Sequence, residues 1–161
     1  VVFATTETLI GELRKSCKYD HVMEEFIRGS PGQQSDEELR AEAWKIVSAI
    51  LDDRLSKALE QYGVDASRDQ GDDDPLAVLA AAHDGRIDTL FLRKGGTLTG
   101  EYDHASRTLR TEKDGVTKPV DLLEVATQQT LLHDGILYIA EEERMPNGSL
   151  MAASFRYPSP V

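Results

Sequence analysis

The chain has 161 residues, of which 40% are hydrophobic, and its formal net charge is −11. The single cysteine, Cys17, excludes an internal disulfide, and no apolar run approaches the ~18 residues that a membrane span needs. The net charge is −4 over residues 1–62 and −7 over residues 63–161, so neither part has the basic composition of a nucleic-acid-binding domain. We therefore expect a soluble protein of the cytoplasm.

The first five residues, VVFAT, have the composition of a buried strand. Such a strand needs a neighbour, so we expect either that the chain begins inside a larger protein or that Val1–Thr5 joins the other sheet or another subunit, which would make an oligomer. A helix is predicted from Thr6 to about Cys17. A second, shorter helical pattern is predicted from Tyr19 to Arg28, followed by a loop over residues 29–34.

The longest predicted helix covers residues 36–62. Ser35 and Glu38 have the spacing of a capping box, in which each side chain satisfies a free backbone N–H of the first turn. Gly63 is predicted to end the helix. An apolar stripe at spacings of three and four residues consists of Trp44, Val47, Leu51, Leu55, Ala58, Leu59 and Tyr62. This pattern is typical of a helix that packs on other elements.

Residues 63–74 contain VDASRDQGDDD and are predicted to be an acidic linker or mobile loop. Three adjacent aspartates suggest a calcium loop, but the alternate carboxylates, central glycine and distal glutamate of an EF-hand are absent. We expect solvated charges before a helix that starts at Pro75.

A helix followed by His-Asp-Gly and a buried strand occurs twice in the remaining chain. The first joint is His83-Asp84-Gly85, before a strand from Thr89 to Leu92. The second ends a helix over residues 121–134, with Gly135 predicted to take the left-handed cap conformation, before a strand from Ile136 to Ala140. Two strands with a helix between them predict a parallel βαβ unit at the centre of an α/β domain. SLMAASFRY is predicted to be the last strand.

Residues 93–118 include the extended segment with net positive charge, with six basic and four acidic residues. GTLTGEYD and TLRTE, joined by residues 104–107, predict a β-hairpin. The candidate contact residues for a ribosome or protein partner are Arg93, Lys94, Arg107, Arg110 and Lys113. The alternative interpretation is a solvated hairpin whose cations protect an exposed edge.

Catalytic motifs are weak. The two His-Asp pairs suggest a metal-dependent hydrolase, but both lie at helix ends, where a histidine benefits from the helix dipole. Gly95-Gly96 lacks a GxGxxG or P-loop continuation, and no GxSxG elbow is present. We therefore predict no catalytic residues, no metal ligands and no cofactor.

Several segments resemble the bacterial archaeo-eukaryotic release factor family. HDGRIDTLFL, PVDLLEVATQQTLLHDGILYIAEEERMP and the closing AASFRY are similar to its C-terminal domain. VVFATTETLIGELRK, YDHVMEEFIRGSPG and SDEELRAEAWKIV are similar to the end of its middle domain. The order is consistent over nearly the whole chain.

The resemblance implies an α/β chain with two parts. Residues 75–161 should form a three-layer α/β/α domain like the C-terminal domains of release factors and Pelota. Residues 1–62 should be a mainly helical remnant of a ribonuclease-H-like middle domain. The related kink-turn binders recognise RNA through a Gly-x-Asn-Glu-type helix start, which this chain lacks, so RNA contact from this chain alone should be weak.

The implied function is a non-catalytic part of a release-factor-like translation protein, a ribosome- or protein-interaction module in peptide release or ribosome rescue. The Gly-Gly-Gln loop that coordinates peptidyl-tRNA hydrolysis in release factors should precede residue 1. Pro31-Gly32-Gln33 does not replace it, because this segment falls between two predicted helices. The alternatives are a metal-dependent hydrolase that uses the His-Asp pairs and a structural oligomerisation domain.

Overall fold

The computed structural model describes residues 1–111, 116 and 119–158. The chain divides into two compact units, residues 1–54 and residues 55–161. Within the described residues, no helix combines the length and the apolar character that crossing a membrane requires. The assignment of residues 1–62 to the end of a middle domain stays a prediction.

The first unit contains a small parallel pair of strands with a helix between them. Strand β1 (Ala4–Thr5) leads into α1 (Glu7–Ser16) and pairs with β2 (Ile27–Arg28). The predicted helix over residues 19–28 is therefore wrong. Its apolar residues lie beside the first strand instead, with N–H groups of Met23, Ile27 and Gly29 donating to carbonyls of residues 1–5 at 2.8 to 3.2 Å. The strand at Val1–Thr5 thus finds a partner within the chain, which removes one motive for an oligomer.

The long helix α2 (Asp36–Ala66) begins with the predicted capping box. Ser35 N–H donates to Glu38 Oε2 at 2.8 Å, and Glu38 N–H donates to Ser35 Oγ at 3.3 Å. The hydrogen bonds that the Ser35 N–H and, secondly, the Ser35 hydroxyl donate to the Glu38 carboxylate lower the pKa of that carboxyl. The predicted end at Gly63 is wrong. The helix continues to Ala66, which is partly buried and packs against the buried cluster of Leu55, Tyr62 and Phe91 in the second unit.

The second unit contains a four-stranded sheet of order β3-β9-β4-β8. Its strands are β3 (Gly71–Asp72), β4 (Ile87–Arg93), β8 (Ile136–Ala140) and β9 (Met151–Phe155). β4 and β8 are parallel, with Thr89 opposite Ile136, and β9 is antiparallel to β4. The predicted parallel βαβ unit and the predicted last strand are confirmed.

Residues 63–74 are not the predicted linker. They contain the end of α2, a turn and β3, which pairs with β9 so that Gly71 lies opposite Ser154. Two of the aspartates make hydrogen bonds within this unit. Asp74 Oδ2 accepts a hydrogen bond from the N–H of Ala77 at 3.1 Å and so caps the next helix. Asp73 Oδ2 accepts a hydrogen bond from Asn147 at 2.8 Å.

Helices cover both faces of the sheet. Helices α3 (Pro75–His83) and α4 (Leu122–Leu132) pack on the face that carries Leu90 and Leu92. The end of α2, from Leu55 onward, packs on the face that carries Phe91. This alternation produces the predicted three α/β/α layers. The third layer comes from the end of α2, which lies before residue 75.

The apolar stripe of α2 is divided accordingly. Leu55 and Tyr62 are buried, and the Tyr62 ring meets the Phe91 ring edge-on at 5.8 Å. Trp44 is 62% exposed and Leu51 is 47% exposed. Burying each core side chain of this size stabilises the fold by about 1.5–3 kcal/mol.

A second sheet, of order β6-β5-β7, contains the predicted hairpin. β5 (Thr99–Asp103) and β6 (Thr108–Thr111) are antiparallel, with Gly100 opposite Thr111. The hairpin is confirmed. The short strand β7 (Val120–Asp121), which the sequence did not predict, pairs with β5 just before α4 begins.

The two His-Asp-Gly joints use the same helix-ending pattern in different registers. In the first, Gly85 has φ 67 and the N–H of Arg86 donates to the carbonyl of Ala81 at 2.9 Å. In the second, the left-handed residue is Asp134, with φ 57, and the prediction for Gly135 is wrong. The N–H of Gly135 donates to the carbonyl of Thr130 at 2.9 Å, the hydrogen bond that the N–H of Arg86 makes in the first joint. Gly135 therefore occupies the position after the left-handed residue.

Candidate interaction surface

The predicted contact residues are positioned by the hairpin and by the end of β4. The hairpin turn over residues 104–107 is built on Asp103, whose carboxylate accepts hydrogen bonds from Ala105 N–H at 2.9 Å and Ser106 Oγ at 2.7 Å. These hydrogen bonds, first that of the Ser106 side chain, lower the pKa of the Asp103 carboxyl. Arg107, with φ 51, completes the turn.

Arg107 does not project freely from this turn. Its Nη2 lies 3.1 Å from Asp84 Oδ2, at the end of α3. The same carboxylate oxygen lies 3.7 Å from Nε of Arg86, whose side chain is buried. Asp84 therefore compensates charge on two cations and joins the hairpin turn to the end of α3.

Arg93 and Lys94 end β4 and are paired with acids that follow β8. Arg93 Nη1 lies 3.0 Å from Glu142 Oε1, and Lys94 Nζ lies 2.6 Å from Glu141 Oε1. The hydrogen bond to Glu141 raises the pKa of the Lys94 ammonium group. The structure thus ties these two cations to residues 141–142, because β4 and β8 are parallel neighbours with Arg93 opposite Ala140.

Arg110 is an exposed cation on β6. It lies opposite Glu101 on β5, and Asp103 is on the same strand as Glu101. The charge of Arg110 contributes to the lowered pKa of Asp103. Lys113, the fifth predicted contact residue, lies outside the described residues. The hairpin therefore presents mixed charge, with Arg110 as its clearest exposed cation.

The histidines of the joints are engaged in packing. The His83 ring stacks on His104 with centroids 5.1 Å apart, and it lies 5.2 Å from the Tyr102 ring. Burial, and secondly the charge of His104, lower the pKa of the His83 imidazole. Burial also raises the pKa of the Tyr102 hydroxyl.

The two joints contact each other. A Cβ on Gly85 would lie 2.8 Å from Cδ2 of His133, so the His133 ring rests against the Gly85 backbone. Nδ1 of His133 is within 2.8 Å of the Gln129 carbonyl oxygen. In the part of the chain that the structure describes, no three or more His, Cys, Asp or Glu side chains are grouped so that they could hold a metal ion. The hydrolase alternative stays an untested prediction.

Sequence reasoning missed the acidic partners of the contact residues. It assigned no partner to Arg93 and Lys94 among Glu141–Glu143, and none to Arg107 at Asp84. The parallel register of β4 and β8 would have indicated the first pairing, because residues that follow adjacent parallel strands meet at the same sheet edge. Nothing in the sequence indicated that Arg107 would reach Asp84, which is 23 residues away.

Comparisons with family models and with solved structures both give matches. Residues 1–86 match the model of Bacterial archaeo-eukaryotic release factor family 3. The structure is similar to the C-terminal domain of Peptide Chain Release Factor from Methanosarcina mazei, with a TM-score of 0.60 and 12% sequence identity. That match covers 80% of this chain and 99% of the other. No curated protein matches the chain.

Proposed function

The chain belongs to the bacterial archaeo-eukaryotic release factor family 3, and from this premise we propose that it is a non-catalytic interaction module in peptide release or ribosome rescue. The fold of a release factor C-terminal domain is the observation that carries the proposal. The proposed place of action is the cytoplasm, on the ribosome.

The polar side chains of the second unit support an interaction role over a catalytic one. Asp74 and Asp121 cap helices by accepting hydrogen bonds from Ala77 and Leu123 at 3.1 and 3.0 Å. His83 is held by ring stacking. These contacts give each of these three side chains a structural role.

The hairpin is the proposed contact with ribosomal RNA, through Arg110 and Lys113. Arg110 is exposed and is not required to hold the hairpin on α3, whereas Arg107 is. Because the chain carries a net charge of −11, attachment to RNA requires local cations that offset a long-range repulsion. Each phosphate contact that is lost should weaken binding and flatten its dependence on salt.

The test is co-sedimentation with ribosomes over a series of salt concentrations. The double reversal Arg110→Glu and Lys113→Glu should reduce the bound fraction at low salt and flatten its salt dependence. The matched control makes the same charge change in the first unit, with Lys15→Glu and Lys18→Glu, and should bind more strongly than the hairpin variant. Equal sedimentation of the two double variants would remove the hairpin from the proposal. If the parent chain itself does not sediment with ribosomes, the proposed ribosome attachment fails.

A further inference from the structure

The outer edge of the four-stranded sheet is formed by β8. Among the described residues, β8 pairs with β4 alone, whereas the opposite edge of the sheet is formed by the two-residue strand β3. A strand at a sheet edge presents unpaired N–H and C=O groups to whatever extended chain meets it. β8 is the longer of the two edges.

The direction of these backbone groups can be assigned from one hydrogen bond. The N–H of Lys94 donates to the carbonyl of Ala140 at 2.8 Å, so Ala140 directs its backbone groups toward β4. Successive residues of a strand direct these groups to opposite sides. Leu137 and Ile139 therefore direct their N–H and C=O groups away from the sheet, and together they offer two donors and two acceptors to an added strand.

The side chains around this edge are apolar and exposed. Ile136 is 53% exposed and Ile139 is 62% exposed, and Leu132, four residues before Ile136, is 73% exposed. Natural edge strands are commonly protected by lysine, proline or a bulge. β8, with the sequence ILYIA, has neither lysine nor proline, and its register with β4 is continuous over five residues.

From these observations we infer that β8 binds an extended peptide segment of another protein by β-strand addition. In this binding mode main-chain hydrogen bonds supply affinity and alternate side chains supply specificity. The added strand would pair with Leu137 and Ile139 and would place apolar side chains beside Ile136 on one face and Ile139 on the other.

The charge around β8 defines the flanks of this peptide. Residues 134–143 contain four acidic residues and no lysine or arginine. Arg93 and Lys94 compensate Glu142 and Glu141, which leaves Asp134 before the strand and Glu143 after it, while the following Arg144 donates a hydrogen bond to Ser56 at 2.9 Å. The fitting partner is therefore an extended segment with alternating apolar residues that is flanked by lysine or arginine.

A second copy of this chain fits the edge poorly. Two-fold antiparallel pairing of β8 with itself would place Leu137 opposite Ile139 of the other copy. The same register brings Asp134 of one copy beside Glu142 of the other, twice in each dimer. Like charges that face each other across paired strands are destabilising, and each copy carries −11 overall.

The experiment is selection of peptides from a random nine-residue library on the full chain. The expected consensus is alternating apolar residues with basic flanks. A consensus with helical spacing, a consensus with acidic flanks, or no enrichment would overturn the proposal. Sedimentation equilibrium of the chain alone should give a monomer. A dimer that the selected peptide dissociates would assign the edge to a second copy and would also overturn the proposal.

Two further measurements test the strand geometry on the selected peptide. Ile139→Pro removes an outward N–H without removing a β4–β8 hydrogen bond, so it should weaken peptide binding at least tenfold, while Ile139→Val should bind within about twofold of the parent. Two sets of the peptide are N-methylated at every second residue, one at the odd positions and one at the even positions. One set should lose binding, because its methylated N–H groups face β8, and the other set should keep it. This peptide test does not depend on the folding of any variant, and tolerance of methylation in both sets would contradict strand addition.

The proposal does not depend on the proposed ribosome contact. Ile139→Pro leaves Arg110 and Lys113 in place, so ribosome co-sedimentation should be unchanged in this variant. Loss of peptide binding and loss of ribosome attachment are therefore separate results.

Discussion

Arg107 Nη2 lies 3.1 Å from Asp84 Oδ2, and this ion pair connects the turn of the hairpin to the end of α3. The Asp84 side chain is only 20% exposed, and its oxygen also lies 3.7 Å from the buried Arg86 guanidinium. Arg86 in turn lies 5.1 Å above the Phe155 ring. One carboxylate therefore connects the hairpin to a buried cation at the end of the central sheet.

We expect Asp84→Asn to lower the free energy of unfolding by about 1–3 kcal/mol, because it removes the negative charge beside the buried Arg86. Arg107→Gln removes only the half-exposed partner and should cost under about 1 kcal/mol. Urea unfolding of both variants gives the comparison. If Asp84→Asn costs no more than Arg107→Gln, the buried ion pair does not stabilise the joint.

The stacked pair His83 and His104 predicts a dependence of stability on pH. Burial, with the charge of His104, lowers the pKa of His83 in the folded chain. Since the unfolded chain then binds more protons, this group's contribution to stability is fully present above the unfolded pKa of about 6.5 and is lost as pH falls toward the lower folded pKa. The nearby groups that act on His83 are Asp84, which opposes the shift, and His133, which adds to it.

The measurement is the free energy of unfolding of the parent chain and of His83→Gln between pH 7.5 and pH 5.5. As pH falls, the parent chain should lose more free energy of unfolding than His83→Gln does. The NMR signals of the His83 ring should titrate at a pH below the usual range for histidine. A constant difference in the free energy of unfolding over this interval would show that folding does not favour the neutral form of His83. Comparing the two proteins cancels the contribution of the overall acidic charge.

The parts of the fold that depend on local pattern were predictable from the sequence. The capping box at Ser35 and Glu38, the hairpin and the parallel βαβ unit follow from spacing within short segments, and the structure has all three. The segment over residues 19–28 was misread because its apolar residues also fit a helix. Backbone hydrogen bonds to residues 1–5 decided the outcome, and a pattern within the segment does not contain them.

The candidate surface was less predictable, because ion pairs depend on contacts between distant residues. Lys94 and Glu141 are 47 residues apart in sequence, and only the strand register brings them together. The His-Asp-Gly joints show the same limit. One tripeptide ends two helices in registers that differ by one residue, since aspartate as well as glycine tolerates the left-handed conformation.

Gly135→Ala should destabilise the second unit. A Cβ at this position would lie 2.5 Å from Thr130 Cγ2 and 3.1 Å from the Ile87 carbonyl oxygen, so the joint has to shift. We expect a loss of about 1–3 kcal/mol in the free energy of unfolding, as for other overpacked sites. Thr130→Ser in the same chain should recover part of this loss, because it removes the methyl group in the closest contact. No recovery would mean that the backbone contact dominates.

Gly63→Ala tests the correction to the end of α2. The sequence predicts a glycine that ends the helix in the left-handed conformation, and there an alanine side chain would be destabilising. In the structure Gly63 lies inside a helix that continues to Ala66, and a Cβ at Gly63 would meet nothing within 4 Å. Alanine should then stabilise the chain by about 0.5–1 kcal/mol, because it loses less conformational freedom on folding than glycine. A thermal or urea unfolding curve gives the sign directly. A stabilised variant supports the continuous helix. A destabilised variant would indicate that the helix ends at Gly63.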